Sequence, residues 1–270
     1  MVRARLLACV VAAGCGGGGG FPDAAVDSPP PGPGSFSLDW SVTDTGNQPI
    51  ACSKIGATAV TATLRNLAAV GGMTEVFTCA TGSGTSQRDI TPGTYEISFE
   101  LDAGSGTVLQ TAPTQHAVVI QSNQVTKLAS LSFAVNATGG MKLHLASNKA
   151  GGNCGVAPSG AAIDAMTISI QHGSTGPCEP IAFAIAAGAT KPAGNYTADC
   201  TTPAVGPCIE SDQEVTAIGV PSDQYTFHIR GNVAAATCWT NNDQVTVPPL
   251  GANAIKTLNL GQAAPGTPGC

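Results

Sequence analysis

Four apolar side chains, Tyr95, Ile97, Phe99 and Leu101, alternate with Glu96, Ser98 and Glu100, and no other stretch constrains the fold as strongly. A period of two puts every second residue on one face, which suits a half-buried strand and no helix. The same alternation runs through Phe36, Leu38, Trp40 and Val42 and through Val60, Ala62 and Leu64. Shorter versions occur at Val118 with Ile120 and at Leu131, Phe133 and Val135. Turn-forming residues separate the runs: Pro92-Gly93, Ala103-Gly104-Ser105-Gly106 and Gln121-Ser122-Asn123. No 3.6-residue apolar stripe lies between them, so several short strands within roughly 100 residues predict an all-β, antiparallel sandwich.

After the polar join Asn136-Ala137-Thr138-Gly139-Gly140 the pattern restarts. Met141, Leu143 and Leu145 mirror Phe36, Leu38 and Trp40, and Ala165 to Ile170 mirrors Ala59 to Leu64. Val220 to Ile229 mirrors the strand around Tyr95, and Ile255 to Leu260 mirrors Thr126 to Leu131. Landmarks kept in order predict a diverged duplication, with an insertion near Pro180 to Ser211. The competing explanation is that strands and turns recur in any all-β chain. The expected units are sandwich domains at 35–137 and 139–262, followed by a Gly/Pro tail at 263–270 that ends in Cys270.

The start of the chain reads differently. Arg3 and Arg5 precede a short apolar run from Leu6 to Ala13, the layout of a secretory signal peptide and too short for a transmembrane helix. Its end, Ala12-Ala13-Gly14-Cys15, resembles the lipobox of bacterial lipoproteins, although Ala12 stands where Leu is commoner. The resemblance implies cleavage after residue 14 and lipidation of Cys15, hence partnership with a membrane through a lipid anchor. An ordinary signal peptide with a free Cys is the alternative. Gly16 is not the Asp that tends to retain such proteins at the inner membrane, so the resemblance implies the outer membrane, in a leaflet it does not specify. Residues 15–34 hold five consecutive glycines and Pro22, Pro29, Pro30, Pro31 and Pro33, the composition of a flexible linker with extended, stiffer stretches.

A second resemblance lies in Ile90-Thr91-Pro92-Gly93-Thr94-Tyr95-Glu96-Ile97-Ser98-Phe99. It is similar to the strand start of fibronectin-type, transthyretin-like and other immunoglobulin-like sandwiches, in which the Tyr hydroxyl bonds backbone at a corner. It implies an immunoglobulin-like fold for each domain and says nothing of activity.

The chain has 10 Cys. Cys9 leaves with the signal and Cys15 takes the lipid, so an even eight remain, the arithmetic of disulfides in an exported protein. Cys52 and Cys79 are the pair in the first domain and close a loop of about 28 residues, for which chain entropy supplies roughly 3 to 4 kcal/mol. For Cys154, Cys178, Cys200, Cys208, Cys238 and Cys270 the expected pairing is Cys154–Cys178, Cys200–Cys208 and Cys238–Cys270, with Cys154–Cys200 as a rival. No two of these cysteines have the two-to-four-residue spacing of zinc ligands, so no metal is expected.

Composition limits the partners. Setting Arg3 and Arg5 aside from 11 basic and 17 acidic residues leaves a mature net charge of about −8, with no basic stripe to neutralise phosphates, so nucleic acid is not an expected partner. No nucleophile elbow, phosphate loop or metalloprotease helix occurs, and no cofactor or catalytic residue is assigned. His144 and His228 fall on polar strand faces, and His116 and His172 lie near turns with no carboxylate beside them in sequence. Asn241-Asn242-Asp243-Gln244 reads as a polar turn. Trp239, beside Cys238, is a possible ligand contact if exposed and otherwise packs on a disulfide. The expected function is that of a non-enzymatic cell-envelope lipoprotein with structural, adhesive or ligand-binding modules and an envelope protein or glycan as partner. The alternatives are a secreted hydrolase and a carbohydrate-binding module using Trp239.

Overall fold

Alternation in sequence becomes register in space. In the computed structural model, which describes residues 32–87, 89–198 and 204–270, the first module consists of β1 (Ser35–Asp44), β2 (Ala57–Asn66), β3 (Gly72–Thr78), β4 (Ser83–Thr85), β5 (Gly93–Ala103), β6 (Val108–Ile120), β7 (Val125–Lys127) and β8 (Leu131–Val135). One sheet has the order β3-β2-β5-β6; the other has β4-β1-β7, with β8 also on β1. The inward positions are the ones the period marks: Phe36, Leu38, Leu64, Ile97, Phe99, Leu101 and Phe133 are at most 1% exposed.

The second module repeats the plan. Its strands are β9 (Thr138–Ala146), β10 (Ala165–His172), β11 (Ile181–Ile185), β12 (Gly194–Ala198), β13 (Gly206–Pro207), β14 (Val215–Pro221), β15 (Asp223–Val233), β16 (Ala236–Asn241), β17 (Gln244–Val247), β18 (Asn253–Asn259) and β19 (Gly261–Gln262). The sheet β13-β10-β15-β16-β19, with β17 on β15, is partnered by β12-β11-β14-β9-β18. Each module has its own core, drawn from Phe36 to Val135 in one and from Met141 to Leu260 in the other. Equivalent corners are built alike. The Tyr95 hydroxyl donates to the Thr91 carbonyl at 2.7 Å, and the Tyr225 hydroxyl donates to the Pro221 carbonyl at 2.8 Å, four residues back in both cases.

The sheets are antiparallel apart from the pairings of each module's first strand with strands near its end. β1 runs parallel to β7 and β8, from Ser35 opposite Val125 to Asp44 opposite Val135, and β9 runs parallel to β18, from Gly140 opposite Asn253 to Ala146 opposite Asn259. A sandwich whose first and closing strands are parallel neighbours takes the chain in at one end and releases it at the other. For a strand of 10 residues such as β1, rising about 3.3 Å per residue, the ends are about 30 Å apart. The link Asn136-Ala137 therefore leaves module one where module two begins, and Gly34, hydrogen-bonded both ways with Ile90, lies at the opposite end.

The disulfides are Cys52–Cys79, Cys154–Cys208 and Cys238–Cys270, and Cys178 is disulfide-bonded as well. This corrects the expected Cys154–Cys178 pair. Cys154 lies beyond the far end of β9, whereas Cys178 sits beside Gln171 at the junction end of β10, most of a strand length away. A disulfide tolerates a Cα separation of only about 4.4–6.8 Å. Cys208 is brought to Cys154 by polar contacts on both sides of the bond: the Asn153 side chain donates to the Ile209 carbonyl at 3.0 Å, and the Glu210 carboxylate accepts the backbone N–H groups of Asn153 and Cys154 at 2.6 and 3.1 Å. The Cys154–Cys208 bond also removes the expected Cys200–Cys208 pair and the rival Cys154–Cys200. Cys200 itself, the signal residues 1–14 and Cys15 lie outside the described residues.

Candidate functional site

The junction between the modules holds the densest cluster of charged side chains described. Lys54 stands on a short 3-10 turn, Cys52–Ile55, which Cys52–Cys79 pins to module one. Its ammonium reaches Asp223, the first residue of β15, at 2.5 Å. The same carboxylate oxygen of Asp223 lies 2.9 Å from His172 Nδ1, and His172 Nε2 lies 2.8 Å from Glu179. The register of β10 on β15 sets His172 opposite Tyr225, and the two rings lie 4.7 Å apart, tilted. Four residues distant in sequence thus form one chain: Lys54, Asp223, His172, Glu179.

Burial would raise the Asp223 carboxyl, but hydrogen bonds from Lys54 and His172 and from the Gln224 backbone N–H outweigh it and hold the group below its ordinary value. The Tyr225 hydroxyl is pushed well up, first by burial and then by the charges of Glu179 and Asp223. Beside the cluster a cleft of about 540 Å³ opens between the modules, lined by Lys54, Ile55 and Leu109 of one and Asp223, Val247 and Leu250 of the other. Its size and position at a domain boundary are those of a small-ligand pocket.

The other sequence candidates fall elsewhere. His116, in β6, lies 2.8 Å from Glu96 on an exposed surface, and Arg65 pairs with the same carboxylate. The Arg65 hydrogen bond leads the effects that lower Glu96. His228 is not merely solvated: its ring nitrogens lie 2.8 Å from Asn242 Oδ1 and 3.4 Å from Gln171 Oε1. It belongs to a polar hollow of about 530 Å³ on the outer face of the β10-β15-β16 sheet, with Thr167, Ser169, Arg230, Thr240 and Asn242. His144 lies on β9, away from both.

Trp239 is buried at 4% exposure, and its indole N–H donates to the Ala161 carbonyl at 3.0 Å. The ligand-contact role considered for it is thereby corrected: the ring fills module two, and the Lys149 ammonium lies over its face, 5.9 Å from the centroid. Asn241 is also buried and donates its amide to the Asn259 carbonyl, so the Asn241 to Gln244 run is a structural turn.

Chemically, the junction cluster differs from a nucleophile–base pair. Both ring nitrogens of His172 face carboxylates, so neither is directed at a hydroxyl as a serine or threonine mechanism requires. Among the described residues, no group of three or more His, Cys, Asp or Glu is arranged to hold a metal ion. Sequence reasoning missed this cluster because Lys54, Glu179 and Asp223 carry no local motif: Glu179 meets His172 by the folding back of the turn after β10, Asp223 through the β10–β15 register and Lys54 through the docking of the two modules.

No protein-family model matches the chain, and no curated protein does. Among solved structures it is similar to the Bacillus anthracis TIE protein, at 12% identity over 85% of this chain and 34% of that one, with a TM-score of 0.37. It is also similar to the major pilin from Streptococcus pyogenes, at 5% identity over 85% of this chain and 99% of that one, with a TM-score of 0.30. The shaft pilin spaA from Lactobacillus rhamnosus GG gives 9% identity over 86% and 100%, with a TM-score of 0.29. The chain spans about a third of the TIE protein's length. At TM-scores under 0.5 none of these likenesses carries an argument about this chain.

Proposed function

We propose that this protein is an exported, lipid-anchored and non-enzymatic envelope protein, a stalk of two disulfide-stapled sandwich modules that holds the far end of module two, and the cleft at the junction, away from the membrane. One observation carries the reading: the first strand of each module has a closing strand as its parallel neighbour, β1 with β8 and β9 with β18, so the chain passes through the two modules in series. Three bridges and a further bonded cysteine fit an oxidising compartment. The lipobox-like Ala12-Ala13-Gly14-Cys15 supplies the anchor in this reading, and an envelope protein or glycan is the partner at the outer end.

Two measurements test it. Replacing Cys15 (Cys15→Ser) releases the protein from membranes into the soluble fraction; unchanged partitioning into detergent refutes the anchor. Small-angle scattering of the released chain gives a maximum dimension of roughly 80 Å if two modules of about 35–45 Å stand in series. A value near that of one globular unit, about 55 Å, refutes the stalk.

A further inference from the structure

The end of module one where the linker joins carries a group of exposed aliphatic side chains, and few charges among its described residues. Gly34 pairs with Ile90, Asn123 N–H donates to the Pro33 carbonyl, and Leu67 N–H donates to the Thr94 carbonyl. These contacts bring three turns, residues 66–72, 89–93 and 121–125, to the point where the chain arrives from Cys15. Among the described residues of these turns Asp89 is the one charged side chain, and the paired Arg65 and Glu96 border the first of them; Arg88 lies outside the described residues. Of the exposed large hydrophobic side chains described in module one, most lie here: Leu67, Val70, Val119 and Val125, with Val70 fully exposed. The loop Leu67-Ala68-Ala69-Val70 is exposed at every position, ends on Gly71 at φ +123°, and overhangs a hollow of about 300 Å³ lined in part by Leu64, Met73 and Tyr95.

We infer that this end of module one docks on the lipid surface, with Leu67 and Val70 entering the boundary between head groups and acyl chains. The inference rests on the lipid-anchored reading above and goes beyond it, since an anchor by itself leaves the orientation of the modules free. The occupant is argued from where the chain leads: about 19 residues separate Cys15 from Gly34, a length at which a tethered surface meets its target at an effective concentration of about millimolar. A few aliphatic side chains that bind lipid only marginally when free are held there once tethered. The shortage of charge suits an uncharged interface, and the net negative chain gains nothing from an anionic one. Docking at this end directs module two outward along the membrane normal.

The test uses the lipidated full chain carrying Val70→Trp in phosphatidylcholine vesicles brominated near the top of the acyl chains. Trp40 and Trp239 are buried at 7% and 4% exposure, so the added indole reports the contact. Val156→Trp, at an exposed position in a loop at the far end of module two, is the control. The expected result is a blue-shifted Val70→Trp emission that loses about half its intensity to the brominated lipid, with no loss at Val156→Trp. An unquenched Val70→Trp on vesicles that float with the protein overturns the inference and leaves the anchor standing. A blue shift already present without lipid means that the linker or a second copy covers the surface, which also overturns it. A full chain that carries no acyl group on Cys15 by mass spectrometry, yet floats with the vesicles, overturns the anchored reading and this inference with it.

Discussion

Module one and module two share a plan and differ at their outer ends. Both bury an alternating strand behind a corner tyrosine, and in both the first strand has a closing strand as parallel neighbour, β8 or β18. Module two adds the β11–β12 hairpin to its β14-β9-β18 sheet and carries long connections between β9 and β10 and between β12 and β14. Two of its bridges lie at that end, Cys154–Cys208 tying the two long connections together and Cys238–Cys270 tying down the tail, while the bonded Cys178 sits at the junction end. The contrast teaches that the common framework is stabilised by packing, and that covalent cross-links were added where the chain leaves the sheets and has least apolar surface to bury.

The sharpest way to break this contrast is to remove the link from module two. Replacing both cysteines of Cys154–Cys208 with Ala opens a loop closed over a separation of 54 residues, and chain entropy assigns it about 4 kcal/mol. Calorimetry is expected to show the module-two transition falling while that of module one stays in place; a common shift of both would mean that the modules unfold as one unit. Phe99→Ala, in the core of module one, should cost about 3–5 kcal/mol and show the reverse. Tyr95→Phe and Tyr225→Phe each delete one corner hydrogen bond and are expected to cost about 1 kcal/mol apiece in chemical denaturation. Clearly unequal losses would deny that the corners are equivalent.

The smallest effect is at the junction. Lys54→Ala removes a half-exposed ion pair and should change overall stability by no more than about 1 kcal/mol, while loosening the angle between modules. Asp223 is held below its ordinary value in the folded protein, so its contribution is present above the unfolded carboxylate value of about 3.9 and is lost as pH falls through the lower folded value. Scattering recorded from about pH 6 downward should show the modules gaining relative freedom only below about pH 4, and Asp223→Asn should abolish that dependence.

Much of the fold was legible because the strands that face one core each announce it in alternation. Tyr95 and Tyr225 were readable as equivalents, as was Trp40 as a core residue, now 7% exposed with its indole N–H on the Cys79 carbonyl. β3 was not legible: Glu75 occupies one of its inward positions, 5% exposed and accepting the Gln87 backbone N–H, so the apolar period is broken by a carboxylate. β6 was legible only at Val118 and Ile120, since register shifts against β5 disturb the alternation along its length. Neither the Cys154 partner nor the Lys54–Asp223–His172–Glu179 chain could be read, because both depend on side chains that bond backbone or charge across long stretches of sequence. Parity counts cysteines but holds no geometry.

The parallel closure of each module has a mechanical consequence. A pull between the Gly34 end of module one and the far end of module two runs along β1 and β8, and then along β9 and β18. Their backbone hydrogen bonds lie across that line, so the force shears the whole ladder together instead of unzipping it one rung at a time. That resistance to a lengthwise pull follows here from nothing more than which strand neighbours the first.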